Sequence, residues 1–200
     1  MLVNFGVSIF GILIFLFIFW ERLREDYAGE IIFQSGTYIT VGIGLGWAFA
    51  TKFFPDWFFW TSLLGGAAGL MLAIIRFGMK FYETLEAFSI SLLPWLGLIF
   101  LSDSVIRSSL SSFLAFIAIL IMVFISYWLD LHYKGFTWYK SGRIGFAGLA
   151  VAALIFTIRS FLAISRVTML SFVGKYEAIV SGGLAFICFL LLFDLGRIKK

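Results

Sequence analysis

Charge is scarce in this chain of 200 residues. Asp, Glu, Lys and Arg make up only 13% of it, where a soluble domain averages about 25%. That shortage excludes a water-soluble domain. Cysteine occurs once, at Cys188. A lone cysteine excludes an intrachain disulfide and any cysteine-cluster metal site. The single histidine, His132, makes no zinc site by itself. Neither metal nor cofactor is implied. The cations are scattered and form no basic patch, so nothing points to nucleic acid.

What the chain does have is apolar surface. Hydrophobic residues make up 62% of the sequence and the mean hydropathy is +1.06. Such a composition belongs to an integral membrane protein. Segments such as "FGILIFLFIFW" and "FLAFIAILIMVFI" show no polar face at helical spacing, as a soluble core helix would. An open sheet is excluded because lipid cannot satisfy its edge groups.

The expected fold is therefore all-α and polytopic, with about seven transmembrane helices. A spanning helix needs about 20 apolar residues. The candidates are residues 2–20, 31–54, 57–75, 85–101, 110–129, 144–164 and 178–193. The first lacks a preceding cation and a following cleavage site, so it reads as a retained helix. No long linker interrupts the chain, so residues 1–200 read as a single transmembrane domain.

Orientation follows from the cations. Alternate loops on one side carry Arg22, Arg24, Arg76, Lys80, Lys134, Lys140, Arg143, Arg197, Lys199 and Lys200. The opposite side carries Lys52, Arg107, Arg166 and Lys175. Cytoplasmic loops hold the excess of Lys and Arg. The expectation is N-terminus out and C-terminus in.

Several groups could carry chemistry. Gly42 and Gly46 form one GxxxG, and Gly65 and Gly69 another. Small residues four apart let two helix backbones approach closely; alternatively, Gly65 and Gly66 leave room for a lipid headgroup. Lys80, Glu83 and Glu86 share a helix face at the inner side and read as an interfacial charge cluster. The segment "HYKGFTWYKSGR" mixes cations with aromatics, which suits contact with an anionic leaflet. His132 reads as a loop residue and Cys188 as packing.

The outer side gathers Asp103, Arg107, Arg166, Lys175 and Glu177. Arg159 differs from all of these, because it lies inside the apolar run "LIFTIRSFLAIS". It stands about 15 residues above the inner end of its helix, roughly 23 Å up a core of about 30 Å. A buried arginine faces the bundle interior and marks a partner or a ligand. The expectation is an ion pair with Asp103 or Glu177, a side chain that snorkels outward, or a phospholipid phosphate as its partner.

Two stretches carry a family resemblance. "FWTSLLGGAAGLMLAIIRFGMKFYETLEAFSISLLP" and "GFAGLAVAALIFTIRSFLAISR" resemble the third-to-fourth and sixth helix regions of the prolipoprotein diacylglyceryl transferases. Arg159 and Arg166 match the two arginines of the sixth-helix signature, and Gly145-Phe146 matches its start. Leu64 stands where the family has histidine, Ala163 where it has an acidic residue, and Phe5 where it has tyrosine. "LIFLSDSVIRSS" replaces its Gly-Arg-x-Gly-Asn signature.

The resemblance implies a seven-helix enzyme of the bacterial cytoplasmic membrane. That enzyme moves diacylglycerol from phosphatidylglycerol to a lipoprotein-precursor cysteine, and needs no cofactor. On that reading Arg159 and Asp103 are the catalytic candidates. Arg107, Arg166, Lys175, Gly65 and Gly66 are the substrate-binding ones, and Asp103 and Glu177 the available bases. The partners are a phospholipid and lipoprotein precursors. With several family residues replaced, two further readings stand beside it: a non-catalytic phospholipid-binding relative or membrane subunit, and a small transporter.

Overall fold

The apolar runs fold as helices throughout. A computed structural model describes residues 2–136, 139, 144–165 and 175–197. Its helices are α1 (Leu2–Leu23), α2 (Gly29–Phe53), α3 (Phe58–Phe77), α4 (Phe81–Arg107), α5 (Leu110–His132), α6 (Phe146–Ser165) and α7 (Lys175–Arg197). Helix makes up 91% of the described residues, and no strand occurs among them. Short 3-10 turns at Pro55–Trp57 and Tyr133–Gly135 complete the elements.

Six of these helices are long and apolar enough to cross a membrane. The protein is an all-α, polytopic membrane protein. α2 is not among the six, although the sequence suggested a span there. Its first half carries Gln34, Ser35, Thr37 and Thr40, which dilute its apolar character. It is nonetheless 25 residues long.

Glycine contacts bring α2 and α3 together. A Cβ on Gly42 would overlap the Gly65 carbonyl, one on Gly46 that of Thr61, and one on Gly69 that of Tyr38. The paired numbers run in opposite directions, so the two helices are antiparallel and touch through bare backbone. Small residues allow this approach, and van der Waals contact then replaces the hydrophobic drive that lipid removes.

α4 occupies the centre and touches α1, α3, α5 and α6. Pro94 lies inside it without ending it, as neighbouring helices permit in a bilayer. α4 also extends past both expected ends, so Glu83 and Glu86 lie in its first two turns and Asp103 and Arg107 in its last two. Phe15, Phe19, Ile39, Leu70 and Phe88 form one core between α1, α2, α3 and α4. Tyr133, Tyr139, Phe146 and Leu195 form a second, at the C-terminal end of α7.

α3 ends on Gly78, whose φ of 66° gives the left-handed cap that favours glycine. Ser108 takes a similar conformation between α4 and α5, and the next residue, Ser109, caps α5 by accepting from the Ser112 amide.

Candidate functional site

Arg159 sits late in α6, where a helix of Leu, Ile, Phe and Ala leaves it no water. It is 9% exposed. α7 packs against α6 and presents Glu177, which is 1% exposed. Arg159 Nε donates to Glu177 Oε1 at 2.7 Å, and Nη2 lies 2.5 Å from the same oxygen. The Nη2 contact is an ion pair without hydrogen-bond alignment. Glu177 Oε2 accepts from Trp60 Nε1 at 2.8 Å, and Ser181 Oγ donates to Oε1 at 3.2 Å.

Aromatic rings enclose the cation. The guanidinium carbon lies 3.9 Å from the Phe59 ring centre and 5.4 Å from that of Trp60. A desolvated cation over such rings gains about 2 kcal/mol or more. Trp60 in turn stacks on Phe156 of α6, centroids 6.1 Å apart. Three helices thus meet at one buried charge pair. Among the described residues, no hydrogen bond engages Arg159 Nη1.

The other predicted residues are placed differently. Asp103 pairs with Arg107 at 2.8 Å and accepts from Ser112 Oγ at 2.5 Å. Both contacts belong to the α4–α5 turn, and the structure gives Asp103 and Arg159 no shared contact. The partner of Arg159, of the two expected, is Glu177. The Arg107 side chain is 72% exposed. Gly65 faces the backbone of α2, and Gly66 faces Ile43 and Phe88, so protein fills the space beside both. Arg166 lies outside the described residues. Lys175 opens α7 two positions before Glu177, and its side chain lies outside the described residues as well.

The inner charge cluster divides. Lys80 pairs with Glu83 at 2.8 Å, and that carboxylate holds the Lys80 ammonium above its ordinary range. Glu86 is instead buried, at 3% exposure. It lines a cavity of about 250 Å³ between the ends of α1, α4 and α5. Arg22 and Asp130 also line this cavity and pair with each other at 2.8 Å. His132 is exposed, and its Nδ1 donates to Trp128 O at 2.9 Å. Cys188 is a half-buried free thiol. No cluster suited to a metal ion occurs among the described residues.

Comparison with family models, with curated proteins and with solved structures returned no match. The functional reading rests on the geometry and on the resemblance of the two sequence stretches.

Sequence reasoning reached Arg159 and Glu177 but not Trp60 or Phe59. Trp60 is the third residue of α3. Its indole is the second donor to Glu177, a role that only the approach of α3 to α7 reveals.

Proposed function

We propose that the protein handles phospholipid in the manner of the prolipoprotein diacylglyceryl transferases. In this reading it holds the phosphate of phosphatidylglycerol at Arg159, in the outer half of a bacterial cytoplasmic membrane. One observation carries the reading: a desolvated guanidinium, fixed on two rings, whose Nη1 has no described partner. A guanidinium meets phosphate through parallel charged hydrogen bonds, and a lysine cannot reproduce that fork.

Arg159→Lys keeps a cation opposite Glu177 but loses the remaining edge. Losing one charge-assisted hydrogen bond of about 1.5–3 kcal/mol weakens binding by roughly 10- to 150-fold. Native mass spectrometry of purified protein should show phosphatidylglycerol retention falling by about that factor. Equal retention in wild type and Arg159→Lys sinks the reading.

Transfer itself asks for more. The precursor thiolate attacks the glycerol carbon that bears the phosphate oxygen. A C–S bond forms, the C–O bond breaks, glycerol phosphate leaves, and the thiol proton passes to a base. The thiolate is the nucleophile, so the base must have a lone pair to spare. Glu177 accepts from three donors, and Asp103 accepts from Ser112 and is paired with Arg107. These commitments favour a second reading, a lipid-binding relative without transfer. Incubation with phosphatidylglycerol and a cysteine-bearing precursor peptide separates the two. Thioether-linked diacylglycerol on the peptide supports the transferase, and an unmodified peptide beside retained lipid supports the relative.

The outer-leaflet assignment depends on orientation. In a Cys188→Ala background, Asp56→Cys should react with an impermeant maleimide on intact cells, and Glu25→Cys should not. The reverse pattern would place Arg159 toward the inner leaflet.

A further inference from the structure

The cavity between α1, α4 and α5 plays no part in the lipid reading. Its floor is made by Leu23, Glu86 and Tyr133, all buried, and its mouth by Asp26 and Lys134, both exposed. Glu86 Oε2 is buried and has no hydrogen-bond partner. A buried, unpaired carboxylate oxygen is costly and calls for a cation or donor.

Among the described residues, the neighbouring charges leave one anion over. Arg22 is spent on Asp130, and Lys80 on Glu83. Lys134 and Asp26 at the mouth carry one charge of each sign. Glu86 remains, so a single positive charge would balance the cavity. Tyr133 suits such a guest, since its ring already has the Lys134 ammonium 5.7 Å from its centre.

The kind of cation can be narrowed. No cluster suited to a metal ion exists among the described residues. A guanidinium uses two carboxylate oxygens in a fork, whereas the carboxyl group of Glu86 is also approached by the Gly145 backbone and leaves Oε2 alone. A compact ammonium matches one oxygen. The volume of about 250 Å³ lies just below the ~300–1,000 Å³ of drug-sized pockets, so the guest is small.

We propose that this cavity binds a small primary ammonium group, seated on Glu86 at its floor and entering past Asp26 and Lys134. The group could belong to a free amine or to the headgroup of an aminophospholipid in the leaflet at that end. The site lies at the opposite end of the bundle from Arg159, so it stands independently of the lipid-phosphate reading.

The test uses the full chain in detergent and in nanodiscs. Melting is followed against ethanolamine hydrochloride, with tetramethylammonium chloride at equal ionic strength as the control without N–H. Native mass spectrometry from phosphatidylethanolamine–phosphatidylglycerol nanodiscs reads lipid retention. Glu86→Gln keeps the volume, removes a buried charge and should fold at least as well as wild type.

A saturable melting shift with ethanolamine alone, weakened at least about tenfold in Glu86→Gln, supports a free amine; tenfold corresponds to one charged hydrogen bond. Phosphatidylethanolamine retention lost in Glu86→Gln, with phosphatidylglycerol retention unchanged, supports the lipid headgroup. Equal behaviour of wild type and Glu86→Gln in both arms overturns the proposal. So does a response that appears only in Lys134→Gln, which would make Lys134 the resident cation.

Discussion

Arg159→Ala should cost about 3–5 kcal/mol of stability, the penalty for leaving one member of a buried ion pair without its partner. Glu177 is 1% exposed, so water cannot replace the lost guanidinium. Trp60 and Ser181 would still donate to it, but neither carries charge. The paired variant Arg159→Met with Glu177→Gln removes both charges and both desolvation costs. It should recover most of the loss, because replacing a whole buried pair by neutral side chains of similar volume is often neutral or stabilising.

Thermal unfolding in one detergent measures wild type, Arg159→Met, Glu177→Gln and the double variant, and the coupling is the difference from additivity. If the double variant loses as much as the sum of the singles, the pair does not act as a unit. The cycle also bears on the lipid reading. A paired variant that folds normally yet releases phosphatidylglycerol assigns Arg159 a role beyond holding α6 to α7.

The second large effect is expected at the α2–α3 contact. Gly42→Ala and Gly65→Ala each place a methyl group against a main-chain carbonyl of the facing helix. Backbone does not move aside as a flexible side chain does. The helices must separate, at a cost of about 1–3 kcal/mol for overpacking. Gly44 lies in the same helix with nothing within 4 Å of a Cβ. Gly44→Ala should leave melting unchanged or raise it slightly, since alanine favours helix. Melting that falls equally in all three variants would mean that the α2–α3 contact does not set the effect.

The class of the fold was legible because it depends on composition. With so few charges and such long apolar runs, helices in lipid were the available answer. Helix ends were less legible. α4 starts at Phe81, several residues before the apolar run, because "FYETLE" is amphipathic and its Thr84 and Glu86 can be buried by neighbours. Apolarity marks where lipid lies, whereas a helix continues as long as protein covers its polar groups. The two criteria diverge at the membrane surface and across the polar first half of α2.

The candidate site was legible in one residue and illegible in its company. Arg159 announces itself by its flanks. Glu177 reads equally well as a surface residue opening a helix, and only the close packing of α6 on α7 shows it buried. The pairing of Arg22 with Asp130 bridges 108 positions, which no local pattern encodes. Glu86 shares a face with Lys80 and Glu83, so spacing groups it with them. Burial separates it, and burial is a property of the α1, α5 and α6 surfaces that surround it.

α2 carries one more implication, for biogenesis. By hydropathy alone it has a weak claim on the bilayer: it emerges from the ribosome ahead of α3 with Gln34, Ser35, Thr37 and Thr40 still to be hidden. Its glycines, however, fit the backbone of a helix that follows only a few residues later, across the Pro55–Trp57 turn. That short delay matters more than the hydropathy of either segment. It makes the helical hairpin, rather than the single helix, the natural unit of insertion, and gives the close glycine contact a task at the moment of synthesis as well as in the finished bundle.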